Sequence, residues 1–251
     1  MGFLSRFFKN APAEKIGAWP DHSTWAALKN EETIQTEDGS RFLWTVPCGE
    51  LALPSGRLVA CDPFVFLEPS NNPYVPVPKG RFPVFVTLAD VRKEQNRSHV
   101  REAYASIIFS PGKETHRKAL CLAKDGQARP EPKGDQFAGF GVDAGTACFV
   151  DDSVIGPCMP DPNTWFEGLF ENSKPDCWFK RMDDPNHIRE GVANIVLPLA
   201  THGENLILFH SGWGDGVYPV VGSFDTTGQL FAAHIDFFVI QADEGTGSSP
   251  C

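Results

Sequence analysis

Lysine and arginine run out before the chain does. None follows Arg189, while Glu190, Glu204, Asp215, Asp225, Asp236, Asp243 and Glu244 all lie beyond it. The formal net charge is −10, and phosphate repulsion then makes nucleic acid a poor partner. The cations gather instead between Lys79 and Lys118, where nine basic residues face four acids. No Cys-x-x-Cys pair occurs among the seven cysteines, so a structural zinc site has no support. No apolar run has bilayer length, and the amino terminus lacks the apolar core and small-residue cleavage site of a signal peptide. Arg6 stands where myristoylation needs Ser or Thr. The expectation is a cytoplasmic chain with reduced thiols and no membrane partner.

What is abundant points to strands. Twenty-three glycines and 21 prolines imply many turns and few long helices. Three runs near the carboxyl end, Asn205–His210, Val217–Val221 and Gln229–Ile240, are apolar, β-branched and aromatic, and they describe consecutive antiparallel strands. Phe82–Leu88, Ala103–Phe109 and Asn194–Leu199 read as strands as well, and Ala119–Ala123 as a short one. Pro54-Ser-Gly56 reads as a tight hairpin between flanking strands, and Ala144-Gly145 as the turn of another. Asp21 or Ser23 is placed to cap a helix running to Lys29, and Asp161 to cap a second. Ser173–Arg189 reads as irregular.

The fold expected is mainly β, an antiparallel β-sandwich of about ten strands with one or two peripheral helices; α+β is the alternative. Residues 1–41 are expected to be a helical extension, with Phe3, Leu4, Phe7 and Phe8 on one helical face. Residues 42–240 form the β-rich domain, and 241–251 a flexible tail.

Three segments, Glu50-Leu-Ala-Leu-Pro-Ser-Gly-Arg-Leu-Val-Ala-Cys-Asp-Pro63, Val142-Asp-Ala-Gly-Thr-Ala-Cys-Phe149 and Ser211-Gly-Trp-Gly-Asp-Gly-Val-Tyr-Pro219, resemble in that order the family DUF4241, over roughly Gly49 to Val239. The family is one of unknown function, so the resemblance implies no activity and assigns no residues. By loose analogy with other small bacterial domains, it suggests an immunity-type protein.

Candidate chemistry centres on carboxylates at turns. Asp143 and Asp215, were the fold to join them, could hold Ca²⁺ or Mg²⁺, or work with His234 as acid and base in a metal-dependent hydrolase. Asp-Gly is equally a common tight-turn dipeptide. Ser211 with His210 or His234 supplies parts of a nucleophilic triad, although Ser211-Gly-Trp-Gly is not the Gly-x-Ser-x-Gly elbow. Trp213 in its glycine frame could stack on a sugar, the mark of a carbohydrate-binding sandwich, or fold back over the sheet edge. The leading expectation is a non-catalytic protein-binding domain without a cofactor. Trp213, Asp215, Glu204 and Asp243 would contribute to an acidic surface that captures a basic toxin.

Overall fold

The apolar run Asn205–His210 has a simple cause: both of its faces are covered. In the computed structural model, which describes residues 16–18, 25–36, 39–69, 72–92, 94–124, 127–128 and 136–240, it is a central strand of a three-layer arrangement. The strands in chain order are β1 (Ile16–Ala18), β2 (Glu32–Thr36), β3 (Gly39–Leu53), β4 (Arg57–Cys61), β5 (Val75–Pro76), β6 (Gly80–Asp90), β7 (Val100–Ile108), β8 (His116–Ala119), β9 (Ala123–Lys124), β10 (Gln127–Ala128), β11 (Gln136–Val142) and β12 (Thr146–Asp151). Helices α1 (Asp152–Cys158) and α2 (Trp178–Asp183) follow, then β13 (Val192–Val196), β14 (Asn205–His210), β15 (Gly216–Phe224) and β16 (Leu230–Asp236). A large sheet runs β1-β11-β15-β16-β7-β6-β3-β2, with β8 also on β15, and a small sheet runs β13-β14-β12-β4-β5. All pairings are antiparallel. The chain is therefore mainly β, as composition implied.

Period-2 alternation sorts the small sheet's side chains into two cores. Leu58, Ala60, Ala147, Phe149, Ile207 and Phe209 join the core shared with the large sheet. Val59, Cys61, Cys148, Val150, Leu206 and Leu208 enter a second core, with Trp165, Phe170, Trp178 and Met182 of the helical segment. Each fully buried Leu or Phe contributes roughly 1.5–3 kcal/mol, so the helical segment is a third layer and not a decoration. Asp161 caps as expected, accepting from Asn163 N at 3.0 Å. What it starts is a 3-10 turn (Pro162–Thr164) and a π-helical turn (Phe166–Phe170) in place of an α-helix. Helix α2 lies inside the stretch read as irregular.

The connections differ most from expectation. Pro54–Gly56, Asp143–Gly145 and Ser211–Asp215 are not hairpin turns. At each the chain leaves one sheet and enters the other, since β3, β11 and β15 belong to the large sheet and β4, β12 and β14 to the small one. Only the Asp225–Gly228 joint between β15 and β16 closes a hairpin among the carboxyl-terminal runs.

The described part of the expected helical extension (residues 1–41) contains β1, β2, the start of β3 and, at residues 25–30, a turn; no helix is among these residues. The Met1–Asn10 face, the caps Asp21 and Ser23, Asp243 and the 241–251 tail lie outside the described residues. Trp25 packs edge-on against Tyr104 at 4.8 Å and His234 at 5.5 Å between ring centroids.

His234 sits mid-strand in a buried polar chain. The Ser223 hydroxyl donates to Glu114, so its oxygen is left to accept from His234 Nε2–H at 3.1 Å. Nδ1 then accepts from the Ser106 hydroxyl at 2.8 Å. Burial pushes the imidazole down to about 4, with Glu114 opposing and Arg117 assisting. The unfolded chain takes up this proton near pH 6.5 and the folded one only near 4. Stability is thus fully present above 6.5 and falls by about 3 kcal/mol as pH drops through that window. His234→Gln should flatten this limb in urea titrations run at pH 7 and pH 4.5, and an unchanged slope would show that another group carries it.

Candidate functional site

At one end of the sandwich two of the four sheet crossings, β11 to β12 and β14 to β15, meet, and carboxylates bolt them together. Asp62, fully buried just after β4, accepts from the backbone N–H of Asp143 at 2.9 Å and Ala144 at 2.6 Å through Oδ2. Its Oδ1 accepts from Phe64 N at 2.9 Å. Burial raises its pKa despite these bonds. Asp215 Oδ1 accepts from Gly145 N at 3.0 Å, and Ser211 N donates to Gly145 O at 3.0 Å. Within the second crossing, Ser211 Oγ donates to Gly214 O at 2.8 Å. The Tyr218 hydroxyl is shared between Ser211 O and Gly214 O, at 2.9 and 2.7 Å. Gly212 has a φ of +63°, and a Cβ there would meet Val239 at 2.7 Å, so only glycine fits against this wall.

This bracing presents Trp213, whose side chain is 56% exposed. The guanidinium of Arg101 lies over its ring, 5.3 Å from the centroid, and His99 meets it edge-on at 6.1 Å. Asp143, Asp215 and Glu190 are exposed on the neighbouring turns.

Behind the rim, on the inner side, Glu102 pairs with Arg189. The register of β7 slips against β6 so that Thr87 faces Tyr104 and Leu88 faces Glu102. Ala103 is the extra residue, a bulge that turns the strand there. Burial raises the Glu102 pKa, while Arg189 and then His210 oppose the shift. Gly191, with φ +87°, leaves room for the pair: a Cβ on it would sit 2.7 Å from His210 Nδ1 and 2.8 Å from Glu102 Oε1.

Of the residues singled out in the sequence, the fold brings Asp143, Ser211, Trp213 and Asp215 to one rim. His234 is not with them; it is bonded to Ser106 and Ser223, while the Ser211 hydroxyl is turned onto Gly214. The nucleophilic pairing of Ser211 with His234 is therefore not assembled. Among the described residues no three His, Cys, Asp or Glu side chains converge as metal ligands. The Asp62 and Asp215 carboxylates face backbone N–H groups, and the Asp143 side chain is exposed. Glu204 folds onto its own loop, accepting from Thr201 N at 3.0 Å and His202 N at 2.8 Å, which lowers its pKa. It is a loop brace more than a free surface acid. Arg101, Glu102, His99 and Arg189 escaped the sequence reading, because a bulge leaves no mark in alternation.

A family model described as "Protein of unknown function (DUF4241)" matches residues 51–235, a span that runs through all four sheet crossings. No curated protein and no solved structure matches the chain.

Proposed function

Because the chain belongs to the DUF4241 family, whose description names no activity, we propose from the site itself that it is a non-catalytic protein-binding domain, an immunity-type protein that neutralises a toxin. Its contact surface is the Trp213 rim. One observation supports this reading above the others: an exposed tryptophan, backed by an arginine, on a crossing held by at least five hydrogen bonds to side chains or across the turn. Tryptophan and arginine are the residues in which binding energy concentrates. A loop already fixed loses little entropy on association. The net charge of −10 would steer a basic partner toward the rim from a distance, an effect that acts on association rate and fades with salt. A cytoplasmic location goes with this role.

The test is calorimetric titration with the purified product of the adjacent gene. Trp213→Ala should weaken binding by at least ~10-fold, the order expected for a central aromatic anchor, with its melting midpoint unchanged. Equal affinity for Trp213→Ala and the parent chain would remove the rim from the account. Quenching of Trp213 fluorescence by an oligosaccharide, with no protein partner captured, would favour the carbohydrate-binding reading, which uses the same exposed indole.

A further inference from the structure

The second core contains two thiols that face each other across a strand pair. Cys148 of β12 is the register partner of Cys61, the last residue of β4. Their side chains point to the same side of the small sheet, with Sγ atoms 3.7 Å apart. Directly opposed residues in an antiparallel pair hold their Cβ atoms about 4.5–5.5 Å apart, close to the roughly 3.5–4.5 Å that a disulfide spans. Closure thus needs the sulfurs to turn toward each other and a modest approach of the two strands, with no change of register. We infer that Cys61 and Cys148 are a redox modification site, a dithiol that closes to a reversible cross-strand disulfide.

Reactivity at rest is low. Cys61 is raised well above an ordinary thiol, with the Cys148 contact and burial as the leading causes, so the thiolate is scarce. Both thiols are buried, Cys61 at 7% and Cys148 at 0% exposed, so oxidation needs local opening. Strand β5 covers the outer side of β4 only at Arg57 and Leu58, so the Cys61 end lies outside that ladder and pairs with β12 on its other side. A small peroxide suits such a route. One thiol reduces hydrogen peroxide to water and becomes a sulfenic acid; the other thiol displaces its hydroxyl as a second water. Two thiols and one peroxide give one disulfide and two waters.

The bond would close a loop between residues 87 apart in sequence, and cross-links spanning long loops constrain the unfolded chain most. It would also tie down Asp62, the neighbour of Cys61 that holds the Asp143–Gly145 crossing. The inference stands apart from the binding reading and would survive its failure.

The experiment treats the full chain with hydrogen peroxide, blocks remaining thiols with N-ethylmaleimide, and maps peptides by mass without reduction. The expected result is a Cys61–Cys148 peptide pair lighter by two hydrogens, lost on dithiothreitol treatment, with a melting midpoint raised by ~5 °C or more. Cys148→Ser should abolish the linked pair, and the Cys61→Ala/Cys148→Ala double variant should abolish the midpoint rise. Oxidation confined to the partly exposed Cys121, or linked peptides appearing only after urea denaturation, would overturn the proposal.

Discussion

Replacing Asp62 with alanine should lower the thermal midpoint by roughly 10 °C and blunt any interaction made through Trp213. The carboxylate takes three backbone N–H groups, those of Phe64, Asp143 and Ala144, and no solvent reaches it to replace the lost acceptor. Leaving a buried donor unmet costs about 1–3 kcal/mol each. Some relaxation and water entry would reduce the sum to the order of 4 kcal/mol, a large share of a typical 5–15 kcal/mol. For a chain of this size each kcal/mol moves the midpoint by about 2–4 °C. Asp62→Asn tests the same point more sharply: the amide keeps the volume but turns two of its own hydrogens toward donors. Burial already raises the Asp62 pKa, so its charge is held at a cost that only those N–H groups offset. If scanning calorimetry placed both variants within ~2 °C of the parent, the carboxylate could not be the bolt between the crossings.

That bolt also explains which parts of the fold were legible in the sequence. The strands were, because each core position repeats every second residue. The small sheet's runs read as continuously apolar because helices cover the face that the large sheet does not. Sheet membership was not legible. Pro54-Ser-Gly56 and Ala144-Gly145 have the same local chemistry whether the chain turns back on itself or crosses over. The distant acceptors at the crossings are Asp151, 96 residues from Ser55, and Asp62, 81 and 82 residues from Asp143 and Ala144. Helix α2 is six residues long, too short for a helical period to show. Trp213 did stand out, because its glycine frame is visible in the sequence. Glu102 did not announce itself, since its inward turn depends on a one-residue slip opposite Leu88.

Glu102 therefore supplies the second large effect. Arg189→Met should destabilise the chain by about 3–5 kcal/mol, because it strands a carboxylate whose side chain is 4% exposed. Adding Glu102→Leu should restore much of that loss, since removing both charges also removes the burial penalty. Acid should help the single variant in a way that identifies the culprit. Burial raises the folded-state pKa of Glu102 and Arg189 holds it back, so deleting Arg189 lets it climb further. For a carboxyl with a raised folded pKa, stability is fully present below the unfolded value and is lost as pH rises through the folded one. The deficit of Arg189→Met should then shrink as pH falls through the raised folded value toward the ordinary carboxyl range. In the double variant no such recovery can occur, because no carboxyl remains at that position. Urea unfolding of the four chains at pH 7 and pH 5 measures both the coupling and its pH dependence. A deficit equal at the two pH values would mean that Arg189 contributes packing and not charge.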